Sequence, residues 1–300
     1  MKVNRRCFLA AALAAASRIP ANRNVKWAVS LGLWNYFRHV PFTGVLDVMR
    51  DTGFIGIRLT GFPGVLEKYG ITAAQMEREV SRRGLHVATI SYTVPAEDPI
   101  GRARTAMEFL KRFGAKHLVV FPPAPGGDFA RLCRTLNLIG EAAGEMGFLA
   151  CLHNHLNSMV ETPAQVHRAM RETDPKLFHF APDTAHLHLG GSNVVEMFER
   201  YRGRIVFTDY KDAKWTAPAA DVVFENGQRL AKDSRQAKFF SSIYDLGDGE
   251  IDFPACHRIL KAKGYNGWIC VDLDTARQGP RRSYERCGEY VVRRLEPIYA

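Results

Sequence analysis

Residues 147–155 read GFLACLHNH, which is a glycine, five apolar residues and then a polar cluster. A glycine that ends a helix, followed at once by a short apolar run, is typical of a buried strand in an α/β unit. The polar cluster His153, Asn154 and His155 stands where that strand gives way to a loop. Imidazole and amide side chains at this position indicate a binding or catalytic site rather than a core.

The same arrangement recurs three times further along the chain. Polar clusters follow apolar runs at residues 183–186 (DTAH), 209–212 (DYKD) and 272–274 (DLD). The carboxyl ends of parallel strands meet at one end of a sheet, so residues placed there come together. The sequence therefore predicts one shared site built from four strand ends.

Eight short runs rich in β-branched or aromatic residues are the strand candidates. They cover residues 27–33, 55–60, 86–92, 117–121, 148–152, 178–181, 205–208 and 268–271. Apolarity within the runs is nearly continuous, which favours parallel strands covered on both faces. Residues 105–113 and 132–143 between them carry apolar positions three and four apart, which predicts amphipathic helices.

Glycines punctuate this rhythm. Gly53, Gly84, Gly114, Gly147 and Gly264 each follow a helical pattern and precede a strand candidate, as expected of left-handed helix caps. Strand starts recur about every 30 residues until the seventh, which is the length of one βα unit, and eight such units close a barrel. We predict a (β/α)8 TIM barrel in a single domain.

Residues 212–250 break the rhythm with a long insertion of mixed polarity after the seventh strand. It contains Trp215, Lys232, Arg235 and Lys238. In a barrel this connection leaves from the face that carries the site, so we predict a lid over the mouth. An oligomer contact or a disordered loop is the alternative.

The N-terminus carries a cationic head followed by an alanine-rich run. Arg5 and Arg6 directly precede residues 7–16, CFLAAALAAA. This pattern predicts a twin-arginine export signal over residues 1–21, a mature domain over residues 22–300 and a periplasmic location. The run is about half the roughly 20 residues that a membrane-spanning helix requires, so no stable membrane anchor is expected. An ordinary amphipathic first helix is the alternative.

Net charge is +10, and removing the four basic residues of the signal leaves +6. The remaining basic residues are interspersed with acidic ones, so we predict no nucleic-acid partner. The six cysteines include no Cys-X-X-Cys pair, which argues against a cysteine zinc site, and Cys151 and Cys270 are expected to be core residues. A disulfide among the others and a homo-oligomer both remain open.

Five segments in order resemble the xylose isomerase-like sugar isomerase/epimerase superfamily, and within it the inosose dehydratase-like members. They are residues 147–155 (GFLACLHNH), 182–186 (PDTAH), 204–212 (RIVFTDYKD), 246–253 (LGDGEIDF) and 264–272 (GYNGWICVD). The resemblance spans the predicted mature chain but is specific only from about residue 147 onward.

This resemblance implies one divalent metal ion, either Mn, Co, Mg, Fe or Zn, held at four strand ends. The corresponding residues are His153, Asp183, Asp209 and Asp272. The chain departs from the family pattern, which usually has glutamate at positions 153 and 272 and histidine at 209. One imidazole and three carboxylates still suit manganese, iron or zinc. Asp209 and Asp272 are shorter than the histidine and glutamate that they replace, so whether their carboxylates reach the ion is open. Glu161 is the candidate substitute ligand.

The resemblance further implies a carbohydrate or cyclitol substrate and enediolate chemistry. A metal ion would polarise the carbonyl of a keto sugar or keto cyclitol, and a base would remove the adjacent proton. His155 or a metal-bound carboxylate is the predicted base, His186 would contact a substrate hydroxyl, and Lys211 would stabilise oxyanion charge. Asn154, Trp215 and Arg235 are predicted substrate contacts.

Other interpretations compete with this one. Each residue has a structural alternative: Asp183 would cap a helix, and Asp209 with Lys211 would form an ion pair. The exchanged ligands also fit a catalytically decayed barrel that serves as a periplasmic carbohydrate-binding protein. An endonuclease, which the same superfamily contains, is disfavoured because it would need more metal ligands and basic loops.

Overall fold

A computed structural model describes residues 19, 24–37 and 40–299. It contains one eight-stranded parallel sheet made of β1 (Val25–Ser30), β2 (Gly56–Leu59), β3 (His86–Thr93), β4 (His117–Phe121), β5 (Leu149–Leu152), β6 (Phe178–Phe180), β7 (Thr208–Tyr210) and β8 (Gly267–Val271). Hydrogen-bonded neighbours run β6-β5-β4-β3-β2-β1-β8-β7. Two isolated parallel bridges, Phe180 to Ile205 and Asp183 to Asp209, join the ends of this order. The predicted single-domain (β/α)8 barrel is confirmed.

Helices surround the barrel. They are α1 (Phe42–Asp51), α2 (Gly64–Tyr69), α3 (Ala73–Ser81), α4 (Pro99–Lys111), α5 (Phe129–Glu145), α6 (Pro163–Glu172), α7 (Thr184–Leu189), α8 (Val194–Tyr201), α9 (Arg235–Ser241), α10 (Phe253–Ala262), α11 (Pro280–Tyr290) and α12 (Glu296–Tyr299), with a 3-10 turn at Gly32–Tyr36 and a π turn at Val291–Leu295. All five glycines that the sequence marked as caps have positive φ, from 65° to 91°. Among the described residues, no helix is long and apolar enough to cross a membrane.

The seventh strand differs from its prediction. The sequence predicted residues 205–208, whereas β7 is Thr208–Tyr210. Residues 204–206 instead pair with Phe180, through Phe180 N–H to Arg204 O at 2.8 Å and Val206 N–H to Phe180 O at 3.1 Å. Pro182 follows and has no N–H to continue the ladder, so the pairing resumes with a shift at Asp183 and Asp209.

Small residues fill the barrel interior below the mouth. Its buried cluster contains Ala28, Ala88, Val119, Cys151, Ala181, Phe207 and Cys270. Phe207 is the large ring among its fully buried members, Phe121 and Trp268 pack against it, and alternation of small and large residues suits the narrow lumen. The five described cysteines are all buried free thiols. Cys151 and Cys270 are therefore core residues, as predicted.

The insertion after β7 is folded. Asp212–Ala213 pairs with Ile243–Tyr244 and Val222–Val223 pairs with Arg229–Leu230, both antiparallel. Its far end reaches the turn after β1, where Asn226 N–H donates to Tyr36 O at 3.0 Å and the ring of Phe224 stacks on Tyr36 at 4.2 Å. Helix α9 lies beside the mouth. The insertion therefore covers one side of the barrel opening.

The predicted export signal at residues 1–21 lies outside the described residues apart from residue 19. The location and the boundary of the mature domain stay predictions.

Candidate active site

A cavity of about 520 Å³ opens at the carboxyl ends of the strands. Its polar lining includes Arg58, His153, His155, Lys211, Asp272 and Asp274. Strands β2, β5 and β8, together with the residues that follow β7, contribute these side chains. Three of the four strand-end clusters that the sequence marked therefore line one shared space, which is large enough for a single sugar ring. The fourth cluster does not line it, but Asp183 contacts His153 and Lys211, which do.

His153, directly after β5, lies between two carboxylates. Its Nδ1 lies 3.0 Å from Asp209 Oδ2, and its Nε2 lies 3.8 Å from Asp183 Oδ2. A carboxylate beside Nδ1 assigns the proton to that nitrogen and leaves the Nε2 lone pair toward Asp183. Burial lowers the pKa of His153 to about 4, although Asp209 opposes the shift. His153 is therefore a neutral imidazole with one free electron pair.

Asp183 performs two tasks with its two carboxylate oxygens. Oδ1 accepts from the backbone N–H of His186 at 2.9 Å and so caps α7. Oδ2 faces His153 and Lys211. Burial raises the pKa of Asp183 to about 7, with the charges of Asp272 and Asp209 adding to the shift and Lys211 opposing it. The capping role considered from the sequence is observed, and it leaves Oδ2 available for another partner.

Asn154 holds the backbone of Asp183 in place. Its Oδ1 accepts from the Asp183 N–H at 3.0 Å, and its Nδ2 donates to the Asp183 carbonyl at 3.2 Å. The side chain is fully buried. The structure thus places this predicted substrate contact behind the site, where it fixes a neighbour.

His155 and His186 lie side by side, with ring centroids 3.9 Å apart. His155 Nδ1 lies 2.6 Å from the carbonyl of Leu156, which makes Nδ1 the donor and leaves Nε2 unprotonated. The Nδ1 of His186 accepts from the Leu156 N–H at 3.3 Å, and its ring stacks on Phe239 of α9 at 5.1 Å. Burial lowers the pKa of both imidazoles, and the charge of Lys211 adds to the effect.

Arg58 is a site residue that the sequence analysis missed. It lies on β2, fully buried, with Nη2 at 2.8 Å from Asp272 Oδ2 and Nε at 3.2 Å from Asp209 Oδ1. Its Nη1 donates to Ser91 Oγ at 2.6 Å. Burial opposes the charge, but the two aspartates raise the pKa of Arg58 well above its usual value. The sequence did contain a signal for this residue, since Arg58 is a charged side chain inside the otherwise apolar strand candidate at residues 55–60.

Lys211 supplies the second buried cation. Its Nζ lies 3.1 Å from Asp183 Oδ2, 2.7 Å from Asp272 Oδ2 and 2.8 Å from Asp274 Oδ2. Burial alone would lower the pKa of Lys211, but these carboxylates raise it well above its usual value. Burial would raise the pKa of Asp272, but Lys211 and Arg58 hold it well below its usual range.

Charge and unpaired atoms both fit a divalent ion at this site. Four aspartates, at 183, 209, 272 and 274, face only Arg58 and Lys211, which leaves a formal charge of −2. His153 Nε2 and Asp183 Oδ2 are buried without a hydrogen-bond partner among the described residues, since Lys211 lies within ion-pair distance of Oδ2 but is not aligned for a hydrogen bond. A divalent cation would balance the charge, and both atoms could serve as its ligands.

His153, Asp183 and His186 form the group that can hold such an ion. Each offers one ligand atom, and the three atoms lie within 4.8 Å of one another. Asp209 and Asp272, the other two predicted ligands, reach the same mouth, but they contact Arg58. Asp209 also contacts the ring nitrogen of His153 that faces away from Asp183.

A model of the family described as xylose isomerase-like TIM barrel matches residues 46–287. The chain belongs to this family. The resemblance drawn from the sequence is therefore confirmed.

Named relatives within this xylose isomerase-like family are inosose dehydratases. The one from Bacillus licheniformis is 34% identical over 148 residues, which cover 49% of this chain and 47% of that protein, so the match spans about half of the relative. The one from Salmonella typhimurium is 28% identical over 289 residues, covering 86% of this chain and 92% of that protein. A solved structure described as an IOLI protein with a binding zinc atom shares the fold, with a TM-score of 0.70, 14% identity and coverage of 92% of this chain and 99% of that one.

Three further residues considered from the sequence lie away from the cavity lining. Trp215 is 55% exposed on the insertion. Arg235, at the start of α9, forms an ion pair with Glu161, so Glu161 is not directed at the imidazoles. None of the three side chains lines the cavity, and side-chain directions cannot be inferred from spacing along the chain.

Proposed function

We propose that the protein is a divalent-metal-dependent carbohydrate enzyme that dehydrates, isomerises or epimerises a keto sugar or keto cyclitol. Dehydration of an inosose is the first reaction to test, because inosose dehydratases are named among its relatives. The observation that carries the proposal is a pair of buried ligand atoms, His153 Nε2 and Asp183 Oδ2, that have no hydrogen-bond partner among the described residues and lie in a mouth with a formal charge of −2.

His153 and Asp183 would hold the metal ion, with His186 as the third member of the group. A bound divalent ion supplies Lewis acidity, which polarises a substrate carbonyl and acidifies the neighbouring C–H bond. Asp209 keeps the His153 ring in the required tautomer and orientation through Nδ1.

His155 is the base that the geometry favours. It lines the cavity, its Nδ1–H is committed to the Leu156 carbonyl, and its Nε2 carries a lone pair. Burial and the charge of Lys211 lower the pKa of His155, so the ring is neutral at physiological pH and can accept a proton from carbon.

Lys211 and Arg58 are the cations of the cavity wall. Both stay protonated, and their N–H groups can stabilise charge that develops on substrate oxygens. A proton returned to another face or another carbon gives epimerisation or isomerisation, whereas departure of a β-hydroxyl as water gives dehydration. One constellation thus serves all three reactions, and the substrate decides among them.

The test combines metal analysis with proton exchange. The full chain would be stripped with a chelator, reloaded with Mn, Co, Mg, Fe or Zn, and incubated with keto sugars and inososes in deuterated water. NMR would then follow loss of the C–H signal beside the carbonyl and formation of product.

We expect one ion per chain and metal-dependent exchange with at least one substrate. Both should be lost in His153→Ala and Asp183→Ala and retained in Asp233→Ala, a control at an exposed position of the insertion. Carbohydrate binding that is insensitive to chelators, with no exchange in any substrate, would instead identify a noncatalytic binding barrel.

We also propose that residues 1–21 direct export through the twin-arginine route. The paired Arg5 and Arg6 before an alanine-rich run support this proposal. A reporter fused to residues 1–21 should reach the periplasm, and a version in which both arginines are replaced by lysine should stay inside the cell.

A further inference from the structure

The ammonium of Lys211 lies among three carboxylates and one imidazole. Its Nζ is within 3.1 Å of Asp183 Oδ2, Asp272 Oδ2 and Asp274 Oδ2, and 3.3 Å from His186 Nε2. The side chain borders the cavity but is almost completely buried, so its charge is balanced mainly by these neighbouring side chains. A positive charge belonging to the chain therefore stands where carboxylate and imidazole atoms converge.

The Lys211 ammonium and a divalent ion would compete for one atom, Asp183 Oδ2. Asp183 Oδ2 is within ion-pair distance of both His153 Nε2 and Lys211 Nζ, and it is the only oxygen of that carboxylate not committed to capping α7. An ion bound to Oδ2 would face the ammonium at short range, and like charges at that distance repel strongly in a buried site.

The two neighbouring carboxylates offer the ammonium a second position. Asp272 and Asp274 hold Nζ at 2.7 and 2.8 Å, both closer than Asp183 does. Arg58 lacks such freedom because its guanidinium is fixed by Asp209, Asp272 and Ser91 together. Lysine has a flexible four-carbon stem and a single charged atom, which suits a small displacement.

We propose that Lys211 is a tethered cation that competes with the divalent ion for Asp183. Without the ion, Lys211 neutralises Asp183, Asp272 and Asp274 together and keeps the ligands in place. When the ion binds, the ammonium gives up Asp183 and stays with Asp272 and Asp274. Lys211 thereby weakens metal binding and keeps the ion exchangeable. This inference rests on the proposed metal-dependent function.

The test measures metal affinity rather than turnover. Chelator-stripped full chain would be titrated with Mn²⁺ and with Zn²⁺ by calorimetry, in wild type, Lys211→Met, Lys211→Arg and Lys214→Met. Lys214 is a lysine three residues later on the same segment, half exposed and 3.8 Å from Glu250, so its variant controls for net charge.

Lys211→Met should bind both ions at least about tenfold more tightly, because it removes a buried like charge beside the ion. Lys211→Arg keeps the charge and should show no such gain, and Lys214→Met should match wild type. Equal or weaker binding by Lys211→Met would overturn the inference while leaving the proposed function standing. Absence of binding in every form would instead reject the metal-dependent function itself.

A second measurement covers the case in which Lys211→Met does not fold. The ¹⁵N and ¹H resonances of the lysine ammonium groups would be recorded in wild type before and after addition of Zn²⁺, with Lys211→Arg assigning the signal. A shift of the Lys211 signal on Zn²⁺ binding is expected, and an unmoved signal in the loaded protein would overturn the inference.

Discussion

His153 shows how one residue divides its two nitrogens between different partners. Nδ1 contacts Asp209 at 3.0 Å, while Nε2 faces Asp183 at 3.8 Å and has no hydrogen-bond partner among the described residues. Carboxylates on the far nitrogen of a metal-binding histidine orient the ring and raise its basicity. Asp209, which the sequence placed among the ligands, therefore has the geometry of an orienting residue.

Replacing Asp209 with asparagine tests that assignment. Asparagine keeps an oxygen for the Nδ1–H but loses the charge, so metal affinity should fall by about 10–100-fold instead of vanishing. Calorimetric titration with Mn²⁺ measures the change. The control is Asp221→Asn, which removes an exposed carboxylate on the insertion. A complete loss of binding, as expected for His153→Ala, would make Asp209 a ligand after all.

His257 allows a prediction about pH away from the site. It lies fully buried on α10, stacked on Trp27 and 3.2 Å from the Tyr210 hydroxyl, and burial lowers its pKa to about 4. The folded protein therefore binds fewer protons than the unfolded chain between pH 6.5 and pH 4. Stability from this group is present above pH 6.5 and is lost as pH falls toward 4.

We expect His257→Phe to remove part of the stability loss that wild type shows as pH falls. The free energy of unfolding in urea should decrease less between pH 7 and pH 4.5 in the variant, by up to about 3 kcal/mol. Phenylalanine keeps a ring against Trp27, although the Tyr210 hydroxyl loses its partner. Identical pH dependence in wild type and variant would contradict a neutral buried His257.

At the scale of elements, Asp212 ties the two ends of the insertion together. Its carboxylate accepts from the backbone N–H groups of Ala213, Gly247, Gly249 and Ile251 at 2.8–3.3 Å. Glycine is required at position 249, because a Cβ there would lie 2.2 Å from Asp212 Oδ1. These hydrogen bonds give a physical reason for the segment at residues 246–253 (LGDGEIDF) to occur together with the pair Lys211 and Asp212.

Asp212→Ala should release the insertion. Two buried and two partly buried backbone donors lose a charged acceptor, so the free energy of unfolding should drop by about 3 kcal/mol. Urea unfolding measures the loss, and limited proteolysis should show faster cleavage within residues 214–245. Asp233→Ala, which removes an exposed carboxylate from the same insertion, should change neither result. Unchanged stability in Asp212→Ala would show that other contacts hold the insertion.

Over the whole molecule, the barrel concentrates negative charge at one end. Four aspartates and two cations meet there, while α9 and Phe239 cover one side and reduce access to water. A ligand that binds only the folded state stabilises it in proportion to its concentration over its dissociation constant. Metal binding should therefore be visible as thermal stability of the entire chain.

The melting temperature of the metal-free protein should rise on addition of Mn²⁺ or Zn²⁺. An ion at about 100 times its dissociation constant stabilises the fold by about 2.7 kcal/mol, which corresponds to a rise in melting temperature of roughly 5 °C in a domain of this size. Calorimetry with and without a chelator measures it. His153→Ala and Asp183→Ala should show no metal-dependent shift, and a shift retained in both would place the ion elsewhere.

The strand and helix pattern was predictable because it depends on local chemistry. Apolar runs, helix periodicity and glycine caps are properties of neighbouring residues, and seven of the eight strands lie largely within their predicted runs. The seventh was misplaced because its pairing with the neighbouring segment is interrupted beside Pro182, which follows β6. A partner strand's missing N–H cannot be inferred from the run itself.

The sequence by itself determined a single-domain (β/α)8 barrel, a polar mouth built from the last four strand ends, and membership of the xylose isomerase-like family. These follow from residue types and their spacing along the chain. Tertiary structure decided the rest: Arg58 enters the site from β2, Asp209 and Asp272 pair with it, and Lys211 stands among the carboxylates. Ion pairs between distant strand ends depend on side-chain directions across the barrel, which spacing along one chain does not encode.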